Sequence, residues 1–240
     1  MSNPTAAMLV IGDEILSGRT RDANMHHLAG ELTKYGIDLK EARVVPDEVD
    51  VIVAAVNDLR ARYTHVFTSG GIGPTHDDIT ADCIAQAFDV GIDVRADAKA
   101  ILAEAYPNGE ADLTDARLRM ARIPDGASLI DNSVSKAPGF TLENAHVMAG
   151  VPRIFTAMLG WLLPQLDAGA PMISETIRAD LVESQIAGPL GEVANAYPML
   201  SLGSYPFYEE GRHGANLVIR GRDADALRAA VAEVKSRLGL

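Results

Sequence analysis

The chain has 240 residues, of which 48% are hydrophobic and 22% are charged, which is enough to bury the core of one large domain and one small one. Acidic residues outnumber basic residues by 33 to 21. The resulting charge of −12 argues against a non-specific nucleic-acid binder, which needs the opposite balance or a dense basic patch. The single cysteine, Cys83, excludes a disulfide within this sequence and any cysteine metal cluster.

The apolar stretches indicate neither a signal peptide nor a membrane span. The first residues, "MSNPTAAMLVIGDE", carry no basic segment ahead of the apolar run. The longest apolar stretch, "IFTAMLGWLLPQL", is interrupted by proline and is shorter than the roughly 20 residues that a membrane helix needs. We therefore expect a cytoplasmic protein with no membrane partner.

The first third of the chain alternates between strand and helix patterns. "AAMLVI" (6–11) is typical of a buried strand that ends at Gly12, and helical spacing follows from Asp22 to Gly36. "IDLKEARVV" predicts a strand, "DEVDVIVAAVNDLRARY" a helix and "HVFTS" another strand. This β-α-β-α-β order predicts a parallel sheet with helices on both faces, in which ligands bind at the carboxyl ends of the strands.

The remaining sequence predicts the end of this domain and a second one. Residues 78–89, 95–106 and 112–121 have helical spacing, and the strand "HVMAG" leads into the helix "VPRIFTAMLGWLLPQL". We place the domain boundary so that residues 1–168 form the first domain and residues 169–240 a small α+β domain. The predicted order in the second domain is a strand (172–179), a helix (181–195), two strands (199–205 and 215–220) and a helix (224–238).

The loop "SGGIGPTHDDIT", between a strand and a helix, is the strongest candidate for a ligand site. Its glycines permit positive φ and close approach of a ligand, and the N–H groups of such a turn attract anions. Two adjacent carboxylates, Asp77 and Asp78, would repel a bare phosphate unless a divalent cation such as Mg²⁺ joined them. The alternative is a tight turn in which an aspartate only caps the helix. The candidate ligand-binding residues of this loop are Ser69, Gly70, Gly71, Gly73, Thr75 and Thr80.

Other loops at predicted strand ends add polar groups to the same edge of the sheet. Asp47 follows the second strand, although it could instead cap the next helix. Glu14 could face a metal or be merely solvated. Lys136 is the one lysine in these loops and could stabilise phosphate charge. The further candidate ligand-binding residues are Gly12, Asp13, Glu14 and Ser17 after the first strand, Asn132, Lys136, Pro138 and Gly139 in "DNSVSKAPGF", and Gly150 and Pro152 in "MAGVP".

Taken together, these loops resemble the MoaB/Mog molybdopterin-binding family, and within it the N-terminal region of competence/damage-inducible protein A (CinA). The resemblance rests on "GDEILSG", "DAN", "SGGIGPTHDDIT", "NSVSKAPGF" and "GVP" in that order, over residues 7 to about 165. The segment "LGSYPFYEEGRHGANLVIRG" looks like the small domain that follows in that subgroup. The resemblance implies a three-layer α/β/α first domain with a mostly parallel sheet.

The same resemblance implies a pterin or nucleotide diphosphate as the ligand, with molybdopterin as one possibility. It maps functional aspartates onto Asp78 and Asp47, with Asp77 and Asp78 as candidate metal ligands. Relatives are associated with metal-dependent cleavage of dinucleotide pyrophosphates such as ADP-ribose or FAD, or with molybdopterin adenylylation. A non-catalytic binding module is the third possibility. The family also implies a dimer or trimer. Two departures bear on the ligand: Asp13 replaces Thr or Asn, and Ile154 replaces Glu.

Overall fold

The computed structural model describes residues 3–209 and 211–240, which form two compact units that meet at Gly169 and Ala170. The first unit contains a six-stranded sheet with the order β2-β1-β3-β8-β7-β6. Its strands are β1 (Thr5–Ile11), β2 (Asp38–Val45), β3 (His65–Ser69), β6 (Ser128–Ile130), β7 (Gly139–Leu142) and β8 (Ala145–Met148). The strands β2, β1, β3 and β8 are parallel, whereas β7 and β6 are antiparallel to their neighbours. A separate pair, β4 (Ile92–Val94) with β5 (Arg122–Pro124), is antiparallel.

Helices cover both faces of the large sheet, so the unit has three layers. Its helices are α1 (Asp13–Leu16), α2 (Asn24–Lys34), α3 (Val49–Arg62), α4 (Thr80–Phe88), α5 (Ala96–Ala103), α6 (Asp115–Leu118) and α7 (Pro152–Leu162). On β1, alternate side chains point to opposite faces. Ala6, Met8 and Val10 pack with α2 and α7, and Ala7, Leu9 and Ile11 pack with α3 and α4. The predicted fold class is thereby confirmed.

The second unit is a three-stranded antiparallel sheet with two helices. The strands β9 (Ile173–Ala179), β10 (Ser201–Glu209) and β11 (Arg212–Gly221) have the order β10-β11-β9. The helices α8 (Glu183–Ala196) and α9 (Ala224–Leu238) share one core with the sheet, which includes Ile186, Leu217 and Val231. None of the helices in the described parts of the chain is both long and apolar enough to cross a bilayer.

Two parts of the first unit differ from the sequence-based expectation. The segment 112–121 contains only the short helix α6 and a 3₁₀ turn (Arg119–Ala121), because its backbone turns into the strand β5. The strands β4, β5, β6 and β7 were not predicted, since each has only three or four residues and shows no clear alternation.

Candidate functional site

The candidate site lies where the chain reverses its winding direction across the sheet. β1 is paired with β2 on one side and with β3 on the other, so the loops that follow β1 and β3 lie next to each other. The backbone of Gly70 approaches so closely that a Cβ there would lie 2.2 Å from the carbonyl oxygen of Ile11. In open α/β sheets this switch point, at the carboxyl ends of the strands, is where ligands bind.

A cleft of about 590 Å³ opens at this edge, within the size range of small-molecule sites. Five loops contribute to its wall, and they come from positions in the sequence as distant as Gly12 and Pro152. Eleven of the candidate residues line it: Gly12, Glu14, Asp47, Gly70, Gly71, Gly73, Asp77, Asp78, Asn132, Gly150 and Pro152.

The glycine turn after β3 presents backbone N–H groups to this cleft. Gly71 has a φ of 67°, and a Cβ there would lie 2.1 Å from the Thr80 hydroxyl oxygen, so the turn requires glycine. Within the described part of the chain, the N–H groups of Gly71, Ile72 and Gly73 donate no hydrogen bond to the protein. Consecutive unpaired amides of this kind form an anion-binding concavity.

The other two glycines of the predicted anion site use their amides inside the fold. The N–H of Gly12 donates to the carbonyl of Val45 (3.1 Å), and that of Gly70 donates to the carbonyl of Met148 (3.2 Å). These bonds extend the parallel pairing of the strands by one residue. Of the four glycines Gly12, Gly70, Gly71 and Gly73, the two at the tip of the turn, Gly71 and Gly73, therefore keep their N–H groups available for an anion.

Asp78 is fixed by the turn that precedes it. Its Oδ2 accepts hydrogen bonds from the Thr75 N–H (2.8 Å) and the Thr75 hydroxyl (2.5 Å). The alternative that an aspartate caps the next helix is wrong, because α4 begins at Thr80 after Ile79 and receives no side-chain cap. The Thr75 hydroxyl, with the Asp77 N–H, also holds the pKa of the Asp77 carboxyl below its usual value.

The pKa of Asp47 is raised by its surroundings in the cleft. Burial raises its pKa above the ordinary value, and the charges of Asp13, Glu14 and Asp77 raise it further, against a lowering hydrogen bond from the Asp13 N–H. That N–H donates to Asp47 Oδ2 at 3.0 Å. The helix α3 has no side-chain cap at Glu48, so Asp47 is not the helix cap that was the local alternative. Several carboxylates thus gather beside the glycine turn.

Glu14 lies over Gly12 at the edge of the same region. A Cβ on Gly12 would lie 2.5 Å from a carboxylate oxygen of Glu14, so the glycine leaves the space into which this carboxylate folds. Glu14 thereby faces the cleft rather than bulk solvent alone.

Sequence reasoning missed Asn24 as a residue that organises the site. Asn24 is buried, and its Nδ2 donates to the Ser69 hydroxyl (2.8 Å) and to the Gly150 carbonyl (2.7 Å). One amide group therefore joins the start of α2 to the end of β3 and to the loop after β8. The available signal was the "DAN" motif, which indicated the family but not this cross-link.

The loop after β6 is built around Asn132. Its buried side chain accepts from the N–H groups of Val134 (3.0 Å) and Ser135 (3.2 Å), and it donates to the Ala137 carbonyl (2.8 Å). Asn132 thus borders the cleft while its amide shapes the loop. Lys136, in the left-handed region at φ 63°, pairs with Glu104 at 3.0 Å outside the cleft wall.

Seven further candidate residues do not line the cleft. Thr80 is buried behind the turn, where its hydroxyl donates to the Gly70 carbonyl (3.0 Å). Gly139 is packed in β7, where a Cβ would lie 2.4 Å from the Val147 carbonyl oxygen. The complete set outside the wall, apart from Lys136, is Asp13, Ser17, Ser69, Thr75, Thr80, Pro138 and Gly139.

Apolar side chains form a large part of the cleft wall. Ten such residues line it: Ile11, Ile72, Pro74, Met120, Ala137, Ala149, Val151, Pro152, Ile154 and Met158. A cleft lined by amides, carboxylates and apolar side chains suits a ligand with a charged part and a ring part.

Known proteins are similar to both units. Residues 7–168 match the family model described as "Probable molybdopterin binding domain", and residues 171–239 match "FAD synthase, middle domain". A CinA-like protein of Gemmatimonas aurantiaca is 32% identical over 97% of this chain and 58% of its own length. A protein of Caenorhabditis elegans called "Probable FAD synthase" is 29% identical over 98% of this chain and 50% of its own length.

A solved structure also matches. CinA of Thermoplasma acidophilum, described as a protein of unknown function, is 32% identical and superposes with a TM-score of 0.64 over 69% of this chain and 99% of that chain. The family model covers more than half of the present chain. The chain therefore belongs to the MoaB/Mog molybdopterin-binding domain family, in its CinA-like branch.

Proposed function

We propose that this protein hydrolyses the pyrophosphate bond of a dinucleotide of the FAD or ADP-ribose class with the help of a divalent cation. The observation that carries the proposal is the meeting of three carboxylates with the unpaired amides of the glycine turn. Asp47, Asp77 and Asp78 line the same cleft as Gly71 and Gly73. A diphosphate needs both the amides for its oxygens and a cation to offset the acids.

The acids in the cleft suit an oxygen-seeking cation. Asp77 and Asp78 are the proposed ligands, and the pKa of Asp47 is raised first by burial and then by the neighbouring acids Asp13, Glu14 and Asp77. Among the described residues no group of three His, Cys, Asp or Glu side chains is arranged as a complete metal cage. Mg²⁺ commonly binds through one or two carboxylates together with substrate phosphates and water, so two acids are a sufficient protein share.

The proposed reaction assigns a role to each of these groups. The oxygen of a water molecule forms a bond to one phosphorus, and the bond from that phosphorus to the bridging oxygen breaks. The water gives its proton to Asp47, whose raised pKa brings it nearer to the range of a useful base. The amides of Gly71 and Gly73 stabilise the charge that develops on the phosphoryl oxygens. A bound cation would neutralise phosphate charge and polarise the phosphorus.

The proposal also draws on the similarity to flavin-related proteins. The second unit matches the middle domain of FAD synthase, and apolar side chains of the cleft wall, such as Ile72, Met120 and Met158, could contact a flavin or adenine ring. FAD and ADP-ribose both combine a diphosphate with such a ring.

The test is a mass-spectrometric screen of FAD, ADP-ribose and related dinucleotides with Mg²⁺, Mn²⁺ and Co²⁺. The wild type should give two monophosphates, and Asp78→Asn should lower turnover by about a hundredfold or more. Asparagine can still accept from Thr75, so the turn should stay folded. Asp82→Asn is the matched control, because Asp82 pairs with Arg122 (2.6 Å) and does not line the cleft. Full turnover in Asp78→Asn would refute the role of Asp78.

A second candidate is binding or adenylylation of molybdopterin. It is favoured by the description of the family model that covers residues 7–168. Incubation with ATP and the pterin separates the two reactions, because adenylylation releases pyrophosphate and yields an adenylylated pterin. Tight binding of a nucleotide or pterin without any turnover would indicate a non-catalytic binding module instead.

We further propose that the chain self-associates as a dimer or trimer, as the family resemblance implies. Light scattering of the eluted protein would give its mass in solution. A mass of about 25.5 kDa at all concentrations would contradict self-association.

A further inference from the structure

Arg119 lies behind the aspartate turn and contacts it directly. It begins the 3₁₀ turn Arg119–Ala121, and its Nη2 donates to the backbone carbonyl of Asp78 at 3.0 Å. The contact spans 41 residues of sequence and joins the segment before β5 to the loop before α4. This tertiary contact holds the backbone of Asp78, one of the candidate catalytic acids, in place.

The guanidinium of Arg119 is not explained by packing alone. Its Nε is buried and has no hydrogen-bond partner in the described part of the chain. A buried, unpaired donor destabilises the folded protein, and an apolar side chain of similar length would avoid that cost. A methionine at position 119 would supply neither the hydrogen bond to the Asp78 carbonyl nor the positive charge.

The positive charge of Arg119 also acts on an acid of the cleft. Arg119 is near enough to Asp77 to affect its carboxyl electrostatically. Arg119 and Asp78 also line a cavity of about 20 Å³ together with Gly71 and Gly73, although Arg119 itself does not line the main cleft. Arg119 therefore supports the turn from a small cavity that adjoins the cleft, without lining the cleft itself.

We propose that Arg119 is a positioning residue, which holds the backbone of the aspartate turn so that the carboxylates of Asp77 and Asp78 face the cleft. The catalytic part of this inference rests on the proposed function, whereas the structural part does not. Arg119 itself does not touch the substrate.

The first experiment measures backbone amide exchange in the full-length protein. Arg119→Met keeps the side-chain volume and removes the bond and the charge, so the peptide covering residues 74–79 should exchange at least about threefold faster. Arg117→Met is the matched control, because Arg117 belongs to the neighbouring helix and bonds the Asp112 carbonyl (2.5 Å) instead. Unchanged exchange in Arg119→Met would overturn the inference. Arg119→Gln, which removes the charge and shortens the side chain, provides the same test if the methionine variant does not fold.

The second experiment separates positioning from binding. With Mn²⁺ and the best dinucleotide, Arg119→Met should lower kcat by about tenfold to a hundredfold with KM changed by less than about threefold, because displaced catalytic groups affect the chemical step. Arg119→Lys should recover part of kcat. A raised KM with unchanged kcat would contradict positioning. If the wild type turns over none of the dinucleotides, the proposed function fails, and amide exchange alone decides the role of Arg119.

Discussion

At the scale of single residues, the glycines of the site are required by close backbone contacts. Gly70 has a φ of 110°, and a Cβ there would meet the Ile11 carbonyl oxygen at 2.2 Å. Gly70→Ala should therefore lower the free energy of unfolding by about 2 kcal/mol or more, which urea denaturation would measure.

A glycine in a helix provides the control for this substitution. Gly160 lies in α7 with no atom within 4 Å of its would-be Cβ, so Gly160→Ala should raise the free energy of unfolding by up to about 1 kcal/mol. Equal effects of the two alanines would show that the backbone contact at Gly70 has been overestimated.

The side chain of Asn24 is also expected to stabilise the folded protein, through two buried hydrogen bonds. Asn24→Ala removes both donors from the Ser69 hydroxyl and the Gly150 carbonyl, and it should destabilise the protein by roughly 2 to 3 kcal/mol. Asn57→Ala removes a surface bond to Arg60 and should change stability by less than about 0.5 kcal/mol. Thermal unfolding of the two variants distinguishes them, and a neutral Asn24→Ala would contradict the cross-link.

Only part of the site could be predicted from the residue types in the sequence. The glycine turn and the acids could be predicted because their chemistry suits a diphosphate wherever the strands end. The roles of Asn24 and Thr80 could not, since each depends on a partner that the sequence does not identify. Asn24 reaches a carbonyl 126 residues away, and the Thr80 hydroxyl turns back to Gly70.

At the scale of elements, two neighbouring strands carry a buried histidine pair. His65 Nδ1 on β3 lies 3.1 Å from His146 Nε2 on β8, and His146 Nδ1 lies 3.0 Å from the Thr141 hydroxyl. Burial, with the nearby His65, lowers the pKa of His146 to about 3, and burial also lowers the pKa of His65. The folded protein therefore keeps His146 neutral under conditions in which the unfolded chain binds a proton.

The sign of the pH effect follows from this difference. Stability is full above the unfolded pKa of about 6.5 and falls by up to about 1.4 kcal/mol per pH unit and per group as the pH decreases towards the folded pKa. Urea denaturation between pH 7.5 and 5.5 should show this loss. His146→Gln should be less stable at pH 7.5 but should lose less on acidification, whereas the exposed His26→Gln should keep the wild-type slope. An unchanged slope in His146→Gln would contradict the assignment.

The elements themselves were predictable where they are long and periodic. The strands β1 and β3 and the helices α2 and α3 follow from hydrophobic spacing, because each buries one consistent face or both faces. The strands β4 to β7 could not be predicted in this way, because three or four residues such as "SLI" or "GFTL" are too few to show a hydrophobic periodicity. The consequence is that the antiparallel edge of the sheet was unforeseen.

At the scale of the whole molecule, the fold class could be predicted because alternating strands and helices permit few arrangements. The cleft could be placed at one edge of the sheet for the same reason. The residues of the cleft wall could not all be predicted from the sequence, because the wall joins loops from five regions. Lys136, for example, pairs with Glu104 instead of facing the cleft. The second unit is similar to the middle domain of FAD synthase, a similarity that the geometry of the cleft does not reveal.

Hydrolysis in ¹⁸O-labelled water is the most direct measurement of the central claim, that this cleft delivers water to the phosphorus of a bound diphosphate. The wild type with Mn²⁺ and FAD or ADP-ribose should yield two monophosphates, with one ¹⁸O atom on one of them, and Asp78→Asn should yield almost none. Absence of metal-dependent monophosphates from the whole dinucleotide panel, or products without the label, would contradict the account.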